Sequence, residues 1–130
     1  MKTLLPPGWP RPKGYSNGIS VSGRTIFTAG VVGWDEDESF AADTLPGQFA
    51  QALRNIVAIL AEGGAGPQHL VRLTCYVTSI DAYLAGLAEI GVAWKQVIGR
   101  HYPTMALVEV VRLVEPKAMV EIEATAVVPE

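Results

Sequence analysis

A single cysteine, Cys75, leaves this 130-residue chain no internal disulfide, so packing and hydrogen bonding must hold it together. No window approaches the roughly 18 consecutive apolar residues that a membrane span requires. The first twelve residues hold one short apolar pair, Leu4-Leu5, and then Pro6, Pro7, Pro10 and Pro12, which is not the apolar stretch of a secretory signal. A cytoplasmic protein with no membrane partner is expected. Positive charge is sparse too: ten Lys and Arg stand against thirteen Asp and Glu, a formal −3, and the basic residues form no run. Such a chain neutralises few phosphates, so nucleic acid is not expected as a partner. His69 and His101 lack ligand-spaced Cys, His or carboxylate neighbours, and Gly63-Gly64-Ala65-Gly66-Pro67 follows a helical pattern instead of opening one. Neither a metal site nor a phosphate loop is therefore predicted, and no cofactor is implied.

What the chain does have is apolar residues, 49% of the total, enough for the core of one compact domain over residues 1–130. Their spacing identifies the elements. Ile19–Ala29 holds two short β-prone runs around Ser22-Gly23, the pattern of a hairpin. Gly33–Pro46 is acidic, with Asp35, Glu36, Asp37, Glu38 and Asp43, and reads as a solvated loop. From Gly47 the period lengthens: Phe49, Leu53, Ile56, Val57 and Leu60 recur at helical spacing until Gly63-Gly64 stops them. Val71–Thr78 alternates strictly, with Cys75 on its apolar face as a core thiol. A second helix is expected after an Asp81 cap, with Tyr83, Leu84, Leu87, Ile90, Trp94, Val97 and Ile98 in one wide stripe. Two strands, Met105–Leu113 and Met119–Val128, flank a turn at Glu115-Pro116-Lys117.

The predicted order is ββαβαββ, an α+β two-layer sandwich in which two helices cover one face of a mixed sheet. In the last strand Val120, Ile122, Ala124, Ala126 and Val128 suit the covered face, leaving Glu121, Glu123 and Thr125 on the other. Met105, Leu107, Glu109, Val111 and Leu113 are expected beside those glutamates, and so large an uncovered apolar surface is expected to be buried by another subunit. His101 reads as a loop histidine bonded to backbone.

The segments Gly14-Tyr15-Ser16-Asn17-Gly18, Phe27-Thr28-Ala29-Gly30, Tyr102-Pro103, Val108-Glu109-Val110 and Glu121-Ile122-Glu123-Ala124 resemble the YjgF/RidA family of enamine/imine deaminases, in the same element order over nearly the whole chain. The resemblance implies a chorismate-mutase-like fold, a homotrimer with clefts between subunits, and a small-molecule substrate. Position by position it implies that Tyr15 matches a cleft tyrosine, Glu121 a water-positioning glutamate and Gly30 a cleft-lining backbone, so Glu121 and Tyr15 are the catalytic candidates. The family's cleft serine falls at Ala29, its arginine at Met105 and its cysteine at Leu107, and these become apolar substrate contacts. Trp94 suits the core and is one further candidate for such a contact. An arginine fork holds a carboxylate through two charge-assisted bonds, whereas methionine has neither charge nor donor. The implied hydrolase is thus expected to act on an enamine, imine or related small molecule other than the usual carboxylate-bearing 2-aminoacrylate, a neutral or aromatic substrate fitting the replaced residues at least as well; the alternative is a binding or interaction trimer without chemistry. An endoribonuclease reading fits the acidic balance poorly. Arg24, Arg72, Arg100 or a neighbouring subunit's Arg11 are the cations able to replace the arginine, and sequence places none of them in the cleft.

Overall fold

A computed structural model describes residues 1–130, and in it the N-terminal segment is part of the architecture. Strand β1 (Lys2–Leu4) pairs antiparallel with β2 (Gly18–Ser20), Thr3 opposite Ile19, in a small separate sheet. The hairpin expected around Ser22-Gly23 does not form. Its two halves exist, but β3 (Arg24–Phe27) joins the main sheet, while β2 finds its partner in the N-terminus. Gly23 makes the separation possible: at φ +147° it passes so close to the Val128 carbonyl that a Cβ would sit 2.2 Å from the oxygen.

After the two-residue strand β4 (Val31–Val32), helix α1 spans Leu45–Glu62. It begins two residues before the periodicity suggests, because Thr44 caps it by accepting a hydrogen bond from the Gly47 N–H. Leu45, Phe49, Ala52, Leu53, Ile56 and Leu60 line its buried side. Strand β5 (Leu70–Val77) follows, and then the expected second helix, which is broken in two at Gly86. Its first part, α2 (Ile80–Ala85), is capped by Ser79, not Asp81, and α3 (Leu87–Val97) carries the buried Ile90, Ala93 and Trp94.

Strands β6 (Thr104–Glu109) and β7 (Val120–Val128) complete a sheet of order β3-β7-β5-β6, with β4 alongside β3 on the same edge of β7. The β5–β6 pair is parallel and the others antiparallel, so the sheet is mixed, with α1 and α3 as its two main helices. In β7 Val120, Ile122, Ala124 and Ala126 are buried against the helices, so Glu121, Glu123 and Thr125 fall on the open face. Register then corrects one sequence expectation. Met105 pairs with Leu73 and Leu107 with Cys75, which puts both on the helix-covered side, packed against the core. The open face carries Ala106 and Val108 from β6 and Phe27 from β3, the last 74% exposed. Strand β6 also ends at Glu109, four residues short of Leu113, because its partner β5 ends at Val77, whose carbonyl accepts the last ladder bond from the Val110 N–H. Val111 is then left almost fully exposed.

One buried polar side chain ties the layers together. Gln48, on α1, donates from Nε2 to the carbonyls of Ala42 (3.2 Å) and Lys117 (3.0 Å), and its Oε1 accepts from the Met119 N–H (2.7 Å). Helix α1, the acidic loop and the approach to β7 are thereby fastened by one residue. Replacing it by an apolar isostere orphans three backbone groups. We expect Gln48→Leu to lower stability by roughly 2 kcal/mol or more, each buried unmet group costing about 1–3 kcal/mol. An unshifted urea midpoint at constant slope would contradict this.

Candidate functional site

Two backbone devices shape the candidate site, one on each side of the sheet. On the helix side the Gly-rich segment before β2 is strapped to the segment before β6. The Ser16 N–H donates to the Pro103 carbonyl at 3.0 Å and the Ser16 hydroxyl to the Tyr102 carbonyl. This holds Tyr15 beside Tyr102, whose ring stacks on Trp94 with centroids 6.3 Å apart and planes 8° from parallel. Trp94 is fixed in turn by its indole N–H, which donates to the His101 carbonyl at 3.1 Å, while His101 donates from Nε2 to the Leu70 carbonyl at 2.6 Å. Behind this strap lies a cavity of about 480 Å³ walled by Tyr15, Phe49, Tyr83, Trp94, Tyr102 and Met105, with Lys13 and Lys95 at its border. A second cavity of about 500 Å³ shares Gly14, Tyr15 and Tyr102 with the first and is bordered by Arg11, Arg100 and His101.

On the open side β3 and β4 are separated by a bulge, three residues (Thr28, Ala29, Gly30) standing opposite two of β7 (Glu123, Ala124). Thr28 repairs the interrupted ladder: its N–H donates to the Ala124 carbonyl (2.9 Å), and its Oγ1 accepts from the Ala124 N–H (3.0 Å). Ala29 and Gly30 are thereby turned outward beside Glu121, and a Cβ at Gly30 would lie 2.6 Å from Glu121 Oε2. Only glycine leaves that carboxylate its place.

The neighbouring glutamate is occupied differently. Tyr76 donates its phenol to Glu123 Oε1 at 2.8 Å, and this bond, with some desolvation and the charges of Glu123 and Glu121, raises the phenol pKa. Glu109 is engaged as well, accepting the Ile80 N–H at the start of α2 (3.0 Å). Burial pushes the Cys75 thiol up to about 12, which makes it inert under β7's neighbours.

The sequence candidates thus separate into two groups. Tyr15, Trp94 and Met105 share the aromatic cavity; Ala29, Gly30 and Glu121 lie together on the other face of the sheet; Leu107 packs inward and lines neither. Sequence reasoning passed over Tyr102 and Tyr83, because only the strap and the break at Gly86 carry these rings to the cavity. The match at Tyr102-Pro103 was the available signal for the first.

Comparison with known proteins gives the family and agrees with the fold. The model of the Endoribonuclease L-PSP family matches residues 10–128. The chain belongs to this family. A RutC family protein of Pyrococcus abyssi is 33% identical over 120 residues, 90% of this chain and 89% of its own. Among solved structures, the Rid-family protein YyfB of Yersinia pestis, described as of unknown function, superposes with a TM-score of 0.83 at 30% identity over 98% of both chains. TdcF of E. coli, solved with bound serine, gives 0.68 at 28% identity over 98% of this chain and 99% of its own. An L-PSP family chain of this fold therefore presents an aromatic cavity on one side of its sheet and a bulge-exposed carboxylate on the other.

The Tyr76–Glu123 bond has a pH signature. Because the folded pKa lies above the ordinary 10, the bond contributes stability below that value and loses it as pH rises through the raised one. In a spectrophotometric titration of the folded protein, Tyr76→Phe should remove a component ionising above pH 10. Loss of a component at or below 10 instead would show that Glu123 does not hold the phenol.

Proposed function

We propose that the protein is a RidA-type hydrolase that deaminates an enamine or imine with an apolar or aromatic body, using water positioned by Glu121. The observation that carries the reading is the division of the site. Tyr15 and Met105 wall a cavity on the helix side of the sheet, while Glu121 and Gly30 meet on the open side, so one chain holds two halves that face apart. A homotrimer closes the site by bringing the Glu121 edge of one subunit to the Tyr15 cavity of the next. Exposed Phe27 and Val108 on the open face support such an assembly, since apolar groups at that density on a sheet favour burial. Family membership and the serine bound in TdcF support a small, amine-bearing ligand.

Glu121 takes a proton from water as the oxygen attacks the C=N carbon, giving a carbinolamine. The proton passes to nitrogen, the hydroxyl proton then follows through Glu121 as the C–N bond breaks, and ammonia leaves with a carbonyl compound. Tyr15, with Tyr102 and Trp94, packs the substrate body. Met105 supplies apolar contact and no charge, which disfavours 2-aminoacrylate, a ligand with little body to pack. A binding trimer without chemistry is the second reading, favoured by the apolar side chains at Ala29 and Met105. The endoribonuclease named in the family description draws less support from a chain in which acids outnumber bases.

Imines generated in situ by an amino-acid oxidase from aromatic, neutral and acidic amino acids separate these readings. Faster ammonia release is expected for the aromatic and larger apolar members. Glu121→Gln should lower that rate by roughly 10²-fold or more, with Glu123→Gln much milder. No acceleration for any imine would leave the binding trimer. Assembly is tested on its own: light scattering should give about three times the 13.9 kDa chain mass, and a stable monomer at micromolar concentration would defeat the shared-site reading.

A further inference from the structure

We propose that the cavity bordered by Arg11 and Arg100 is an anion subsite, and that the ligand of the aromatic cavity carries a carboxylate that docks there, past Tyr15 and Tyr102. The inference rests on the aromatic cavity being the ligand site and adds the chemistry of the ligand's other end. Charge distribution is the first observation behind it. In a chain with thirteen acids and ten bases, the two adjoining cavities are bordered by Lys13, Lys95, Arg11 and Arg100 and by no Asp or Glu. Four of the ten basic residues thus border two cavities that share a wall, where charge of one sign focuses field and draws anions.

Geometry is the second observation. The cavities are not independent: Gly14, Tyr15 and Tyr102 belong to both, and the Ser16 bonds to Tyr102 and Pro103 fix that shared wall. An apolar body against Trp94 and Tyr102 would lie on one side of this wall with the arginines bordering the other, so an extended ligand passing Tyr15 would present its head to them. The β1–β2 pairing, which the main sheet does not need, brings Thr3 to the rim of the same cavity, and the following loop returns Arg11 to it. Two guanidinium groups offer planar donor forks suited to carboxylate or phosphate oxygens, whereas the lysines are point charges nearer the body. Such an anchor restores the charge that Met105 lacks, at a different position, and a three-carbon ligand such as 2-aminoacrylate cannot fill both cavities. The ligand class that fits is an arylalkyl or branched-alkyl carboxylate, including the imines of larger amino acids.

The test is calorimetric titration of the intact protein with 3-phenylpropanoate, its neutral amide and inorganic phosphate, with Trp94 emission, read in a W9F/W34F background, reporting occupancy of the aromatic cavity. Wild type should bind the carboxylate about tenfold or more tighter than the amide, because charge-assisted hydrogen bonds are stronger than neutral ones. The double variant R11Q/R100Q should abolish that preference while leaving amide affinity within about twofold, and Arg100→Lys should retain part of it. Arg54→Gln, on the exposed side of α1, should change nothing. Equal affinities for carboxylate and amide in wild type, or a preference that survives R11Q/R100Q, overturns the anion subsite while amide binding at Trp94 keeps the cavity reading. Phosphate binding that R11Q/R100Q removes without affecting 3-phenylpropanoate marks a separate inorganic-anion site and overturns the proposal as well. If neither aryl compound binds, the subsite and the cavity reading fall together.

Discussion

Strand β7 is the constraint on which the remaining structure depends. It pairs with β5 along one edge and with β3 and β4 along the other, so its register sets that of every strand except β6 and the small β1–β2 sheet. Its two-residue period sends Val120, Ile122, Ala124 and Ala126 into the core. A slip by one residue would exchange these with Glu121, Glu123 and Thr125, burying two carboxylates beneath α1 and exposing the core face. The same alternation that stabilises the fold therefore obliges the glutamates to stand on the helix-free side.

From that constraint the site acquires its divided character. The bulge at Thr28–Gly30 exists because three residues must pass two on β7, and it turns the backbone outward next to Glu121. The strap from Ser16 to Tyr102 and Pro103 works on the opposite side, where it converts an exposed glycine-rich segment into the wall of an aromatic cavity. Neither device involves a hydrophobic run. Each relies on one hydroxyl side chain, Thr28 or Ser16, bonding to backbone that regular structure leaves unpaired.

The chemistry available at the cavity follows from what its walls contain. Aromatic rings and a methionine accept an apolar body, and the nearest charges are cations set at the border. Burial takes Cys75 out of contention as a nucleophile, and the Tyr76 bond occupies Glu123. Of the two glutamates on the open face, this leaves Glu121 the better placed for a proton-transfer role, beside a glycine at which a Cβ would crowd the carboxylate.

Periodicity alone was enough for the class of the fold, both principal helices, and the alternation of β5 and β7, because each depends on local spacing or on burial of one face. Pairing was less legible. The Ser22-Gly23 signal correctly marked a change of direction, but a turn does not say whether its two arms meet each other, and here competition from Lys2–Leu4 and from β7 separated them. The side of the sheet taken by Met105 and Leu107 was illegible for the same reason: their own strand alternates either way, and only the parallel register with Leu73 and Cys75 selects the helix side. The residues by themselves determined that two glutamates would share a face opposite the core and that a tyrosine and a methionine would stand at family positions. The meeting of Tyr15 with Tyr102 and Trp94, the gathering of Arg11 with Arg100, and the separation of Glu121 from Met105 came only from tertiary structure, since each joins segments remote in the chain through hydrogen bonds and register that no local pattern encodes.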